Sequence, residues 1–99
     1  METLFRKALA MPDTYARLDD WAFYLPPTYK RRPGIPGKAL VLQNWATTDM
    51  GALTAAARTV LEAGDCNAVV MEGVLDEIEL EELKALGWTD YYSILGLTL

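Results

Sequence analysis

Histidine is absent from all 99 residues. That removes the commonest general base, the usual catalytic triads and most transition-metal sites. Cysteine occurs once, at Cys66, which excludes an internal disulfide and a zinc site built from several thiolates. No apolar run approaches the roughly 18–20 residues needed to cross a bilayer. Arg6 and Lys7 near the N-terminus are not followed by the apolar stretch of a secretory signal. The expectation is a cytoplasmic protein without membrane contact.

Positive charge is scarce in one half. Residues 59–99 hold one basic side chain, Lys84, against nine Asp/Glu, whereas residues 1–58 hold eight Lys/Arg against five Asp/Glu. The formal net charge is −5. A net-acidic chain repels polyanions, so nucleic acid is not an expected partner. The polarity suits docking of the C-terminal half onto a protein with a basic surface. The plainer role of those acids is to keep that half solvated.

What is present is a globular composition, 52% hydrophobic and 23% charged, in a chain long enough for one domain and no more. Leu4, Ala8 and Met11 recur at helical spacing and predict a short helix over 3–11. Pro12 opens a second segment in which Tyr15, Leu18, Ala22 and Leu25 repeat at i, i+3, i+7 and i+10. Trp21 to Leu25 reads equally as a buried strand. Residues 1–25 are thus a helical N-terminal segment of one or two helices. Residues 26–38 hold four prolines and two glycines and form a loop.

From residue 39 the pattern becomes β-α-β-α-β. Strands are expected near 39–44, 67–72 and 91–97, and helices over 50–60 and 77–86. Asp49 and Asp76 supply N-caps, and Gly64 and Gly87 supply C-terminal stops. Strands joined through helices are normally parallel. The expected fold is therefore α/β, a small three-stranded, mainly parallel sheet over 39–99 preceded by the N-terminal helices. The last strand, Ser93 to Leu99, carries no charged side chain. As a sheet edge it would recruit a second copy or a partner strand, which predicts a homodimer or strand addition.

Three groups of residues could carry chemistry. Asp49, Glu72 and Asp76 fall near the carboxyl ends of strands, where Mg²⁺ would find hard oxygen ligands. Capping explains both aspartates, and Glu72 reads as a solvated strand end, so no metal or other cofactor is expected. Tyr29, Lys30, Arg31, Arg32 and Lys38, with Gly34 and Gly37, form a basic loop that could cradle phosphate. It lacks the spacing of a P-loop. Glu77, Glu81 and Glu82 on the polar side of the last helix, with Tyr91 and Tyr92 beyond it, are the expected partner-binding residues. The two tyrosines are adjacent on a strand, so one is expected to be exposed. Thr47 and Thr48 read as capping residues. Cys66, with an acidic neighbour and no adjacent base, reads as structural. Trp21, Trp45 and Trp88 read as core.

The segment Pro27-x-Tyr29-Lys30-Arg31-Arg32-x-Gly34-Ile35-x-Gly37-Lys38-Ala39-Leu40 resembles the acetyl-CoA pyrophosphate loop of the GNAT acetyltransferases. Leu83-Lys84-Ala85-Leu86-Gly87-Trp88 is similar to that family's aliphatic-x-x-Leu-Gly-aromatic segment before the last strand. The resemblance implies a basic turn with strands before it and a helix after it, the helix N-terminus holding the pyrophosphate. Pro36 stands where that family has its second glycine or alanine. It implies a CoA- or nucleotide-binding enzyme, or a degenerate one, using residues 29–38. The leading expectation from the residues is different. It is a small non-catalytic interaction protein, an inhibitor, adaptor or subunit, of a size that would suit one encoded by a phage.

Overall fold

The structure, a computed structural model, describes residues 1–30, 35, 37–92 and 94–99. Among these residues the chain forms three helices and one mixed six-stranded sheet of order β1-β2-β3-β4-β6-β5. The elements are α1 (Glu2–Ala10), β1 (Tyr15–Leu18), β2 (Trp21–Tyr24), β3 (Ala39–Asn44), α2 (Met50–Glu62), β4 (Ala68–Met71), α3 (Glu77–Ala85), β5 (Thr89–Asp90) and β6 (Leu95–Leu97).

The α/β class holds, but the three-stranded, mainly parallel sheet does not. The first difference is the hairpin β1–β2, where a second helix was one expectation. Leu18 pairs with Trp21, leaving Asp19-Asp20 as a two-residue loop. Asp19 has φ +53, as the primed hairpin turns require at their first position. Ala16, Trp21 and Phe23 alternate inward with period two, and that alternation outweighs the helical spacing of Tyr15, Leu18 and Ala22. Phe5 of α1 meets Trp21 edge-on at 5.7 Å and Phe23 edge-on at 6.0 Å. This aromatic cluster fixes α1 against the hairpin.

The second difference is at the C-terminus. β3 and β4 are parallel, as α2 between them dictates. After α3 the chain makes β5 and returns antiparallel to it as β6, so β6 runs antiparallel to β4. β6 therefore lies between β4 and β5 and is not an open edge. The expected homodimer through Ser93 to Leu99 loses its geometric basis; Ser93 itself is outside the described residues.

Both long crossovers end as their glycines dictate. The Gly64 N–H reaches Leu61 O and the Asp65 N–H reaches Val60 O. The Gly87 N–H reaches Lys84 O and the Trp88 N–H reaches Leu83 O. These are paired Schellman bonds, with φ of +77 at Gly64 and +103 at Gly87. All three helices pack on one sheet face, over Leu40, Leu42, Val69, Met71, Leu95 and Leu97. The Trp88 indole donates to Thr54 Oγ1 at 2.9 Å, and that hydroxyl donates to Met50 O at 2.7 Å. This buried relay ties α2 to the end of α3. On α3 only Leu83 is fully buried.

Candidate functional site

The opposite sheet face, Ala39, Val41, Ala68 and Val70, is covered by Tyr29, Ile35 and Ile94. Tyr29 and Ile35, from the segment read as a loop, thus help to cover this face. Tyr29 is only 5% exposed. Its N–H donates to Gly37 O at 3.0 Å, and its hydroxyl donates to Glu72 Oε2 at 2.5 Å. Gly37, at φ +46, is a glycine because a Cβ there would lie 2.7 Å from Asn67 Oδ1. The Lys38 N–H donates to the same Asn67 oxygen, and the Asn67 N–H donates to Lys38 O.

The amides of Tyr29, Lys38 and Ala39 are therefore committed inside the protein. A phosphate cradle needs such amides unspent. Lys30 and Lys38 are exposed. Arg31, Arg32 and Gly34 of the expected anion loop lie outside the described residues.

The loop leads into β3 rather than into a helix, so it does not have the place that the GNAT resemblance implies for a phosphate turn. Residues 45–49 do have that place, with β1 to β3 before them and α2 after. Their chemistry is wrong for an anion. Asp49 Oδ1 accepts from the Ala52 N–H at 2.9 Å, so a carboxylate already occupies the helix N-terminus and would repel phosphate. Trp45 fills the space beside β4, where a Cβ on Gly73 would sit 2.5 Å from its ring.

The three carboxylates read as possible Mg²⁺ ligands stand at the expected end of the sheet but on separate tasks. Asp49 and Asp76 cap α2 and α3, and Glu72 holds Tyr29. Among the described residues no group of three His, Cys, Asp or Glu is placed to hold a metal. Cys66 is buried, and burial pushes its thiol up to about 11, with Asp65 adding to the effect. It is a neutral thiol at pH 7 and a poor nucleophile.

The acidic helix and the tyrosines form the surface that remains. Glu77, Glu81 and Glu82 are all exposed, with Glu81 accepting from Lys84 at 3.3 Å. Tyr91 turns inward against Gly96 and the second-face cluster. Tyr92 is 92% exposed at φ +68. Tyr92 borders a cavity of about 360 Å³ at the carboxyl end of β4, walled by Met71, Leu75, Leu80 and Leu95. Val74 on this cavity is 99% exposed, and Ile78 on the first turn of α3 is 79% exposed. Sequence reasoning passed over both. The available signal was Ile78, an apolar residue two positions before Leu80 and so on the opposite side of the helix from the Leu80, Leu83, Leu86 stripe.

Among the described residues no helix is long and apolar enough to cross a membrane. Comparison of the chain with protein-family models, with curated proteins and with solved structures finds no significant match.

Proposed function

We propose that this chain is a non-catalytic protein-interaction module, an inhibitor, adaptor or subunit, that engages a partner with a basic surface through its acidic C-terminal half. The observation that carries the reading is the exposure of Val74 and Tyr92 at the cavity at the carboxyl end of β4, with Ile78 exposed on the acidic first turn of α3. Exposed apolar side chains grouped at a cavity and rimmed by charge are what an interface presents before its partner arrives. The groups that could carry catalysis support the reading from the other side. Asp49 and Asp76 cap helices, Glu72 binds Tyr29, and the Cys66 thiol is neutral. A lone unpaired, buried cysteine suits a reducing cytoplasm. Strand-paired self-association would fall to the edge strands, β1 or the two-residue β5, and light scattering reads it directly.

The test is co-purification from the native host with the wild-type chain and with Glu81→Lys/Glu82→Lys as baits. A protein retained by the first and lost by the second, with the fold of the bait unchanged by circular dichroism, supports the reading. Equal retention by both baits contradicts it.

A second reading, a CoA- or nucleotide-binding protein related to the GNAT enzymes, is favoured by one observation. Leu86-Gly87-Trp88 sits at the turn between α3 and the final strands, where the resemblance puts it. Thermal-shift measurements with acetyl-CoA and ATP decide it. Ligand at 100 times its Kd adds about 2.7 kcal/mol, and a flat melting temperature across both ligands removes this reading.

A further inference from the structure

We infer that β1 is a pairing edge for a second copy of this chain, the two β1 strands running antiparallel about Ala16 so that the two sheets join as one. The inference is independent of the interaction-module reading, whose surface lies at the carboxyl end of β4.

The hairpin fixes which backbone groups of β1 face outward. The Leu25 N–H donates to Thr14 O at 2.7 Å, in register with the pairs Ala16–Phe23 and Leu18–Trp21. Hydrogen-bonded and non-hydrogen-bonded pairs alternate along an antiparallel ladder. Tyr15 and Arg17 therefore take the non-bonded positions, opposite Tyr24 and Ala22, and their N–H and C=O groups point away from β2. The stack of the Tyr15 and Tyr24 rings at 4.9 Å fits the closer approach of side chains at such a pair. β1 ends the sheet on this side. Among the described residues no hydrogen bond outside the hairpin uses those outward groups.

The strand is complementary to itself. A two-fold axis through Ala16 sets Tyr15 of each copy against Arg17 of the other, and the N–H and C=O of both residues are bonded in each copy. Every bond then lies within β1. An axis through Tyr15 or through Arg17 sets that residue against itself and pushes the flanking bonds onto Asp13 or Asp19, outside the strand. The other edge, β5, has 2 residues and cannot offer the same ladder.

Side chains choose the same register. Ala16 is buried, whereas Tyr15 and Arg17 share the other face and are exposed, Tyr15 at 62%. Arg17 has no ion pair among the described residues. An arginine on an edge ordinarily discourages pairing. Here it meets a tyrosine that is itself stacked on Tyr24, and a guanidinium over an aromatic ring is attracted to it. Like charges meet only at the ends of the ladder, Asp13 against Asp19. The formal charge of −5 on each copy also opposes association, so the dimer is expected to strengthen as salt rises.

The experiment is sedimentation equilibrium of the full chain from micromolar to millimolar concentration, with amide exchange read by NMR at both extremes. The expected result is a monomer–dimer equilibrium in which the Tyr15 and Arg17 amides gain protection on concentration. Those of Ala16 and Leu18, bonded to β2, should be protected throughout. Arg17→Pro removes an outward N–H that the hairpin does not use, so it should abolish the dimer at a near-wild-type melting temperature. Arg17→Glu, which leaves every backbone group in place, should weaken the dimer at least about fivefold. Asp19→Asn keeps a residue suited to φ +53 and should tighten the dimer about twofold or more by relieving the repulsion at the end of the ladder. A monomeric mass at every concentration overturns the inference, as does a dimer that neither Arg17 variant weakens. Protection of Tyr15 and Arg17 that appears only with a co-purified protein bound also overturns it and assigns the edge to a partner strand.

Discussion

The Tyr29 hydroxyl donates to Glu72 across 43 residues of sequence, at 2.5 Å. Through that contact Tyr29 is fastened to the carboxyl end of β4, beside the cavity. A residue read as part of an anion loop and one read as a strand-end acid prove to be each other's partners. Tyr29 and Ile35 of that segment pack on the sheet face opposite the three helices.

Tyr29→Phe keeps the ring and removes the donor. The expected cost is about 1.5–3 kcal/mol, the scale of a hydrogen bond to a charged group, read by urea unfolding. Tyr29→Ala also uncovers the second sheet face and should cost more, about 3–5 kcal/mol. Hydrogen exchange should quicken at Lys38 and Ala39 in both variants.

Thr54→Val should destabilise by about 1–3 kcal/mol, because the buried Trp88 indole N–H loses its acceptor. Trp88→Phe, which removes the donor and leaves the Thr54 hydroxyl bonded to Met50 O, should cost little hydrogen-bond energy beyond its lost packing. Combining the two changes should cost less than their sum.

Gly73→Ala should cost about 1–3 kcal/mol by overpacking against Trp45. The reporter is tryptophan fluorescence, which should shift as the Trp45 ring is displaced toward solvent.

Cys66 gives a pH prediction whose sign follows from its raised thiol. The folded state holds the proton up to about 11, whereas the ordinary value is 9.0. The stabilisation is fully present below pH 9 and is lost as pH rises toward 11. Cys66→Ala should lose this component of the alkaline fall, seen as the difference between the two stability–pH curves above pH 9. Below it, the native thiol should resist alkylation.

Much of the fold is legible where one residue type has one use. Asp49, Gly64, Asp76 and Gly87 bracket α2 and α3, and those two helices and the strands β3 and β4 fall where they were expected within a few residues. The N-terminal hairpin was ambiguous because Tyr15, Leu18 and Ala22 satisfy a helical period while Ala16, Trp21 and Phe23 satisfy a strand period. Only the packing of Phe5 on Trp21 and Phe23 decides between them. The reversal between β5 and β6 was hidden because the sequence there carries no glycine or proline, and Tyr92 takes a left-handed backbone. At the candidate site the acids on α3 were readable as a solvated face. The apolar half of the site was not, since Val74 lies outside any periodic element and its exposure depends on where β4 ends.

The most direct measurement of the central claim is the association rate of the co-purified partner at low and high ionic strength. It compares wild type, Glu81→Lys/Glu82→Lys and Arg31→Glu/Arg32→Glu, each with a wild-type melting temperature. If the acidic half is the docking surface, the wild-type on-rate falls as salt rises. The glutamate reversals then lower the on-rate more than they raise the off-rate, and the arginine reversals leave it unchanged or faster. An on-rate that falls with the arginine reversals and is indifferent to the glutamate reversals would place the working surface on the basic loop and contradict the account.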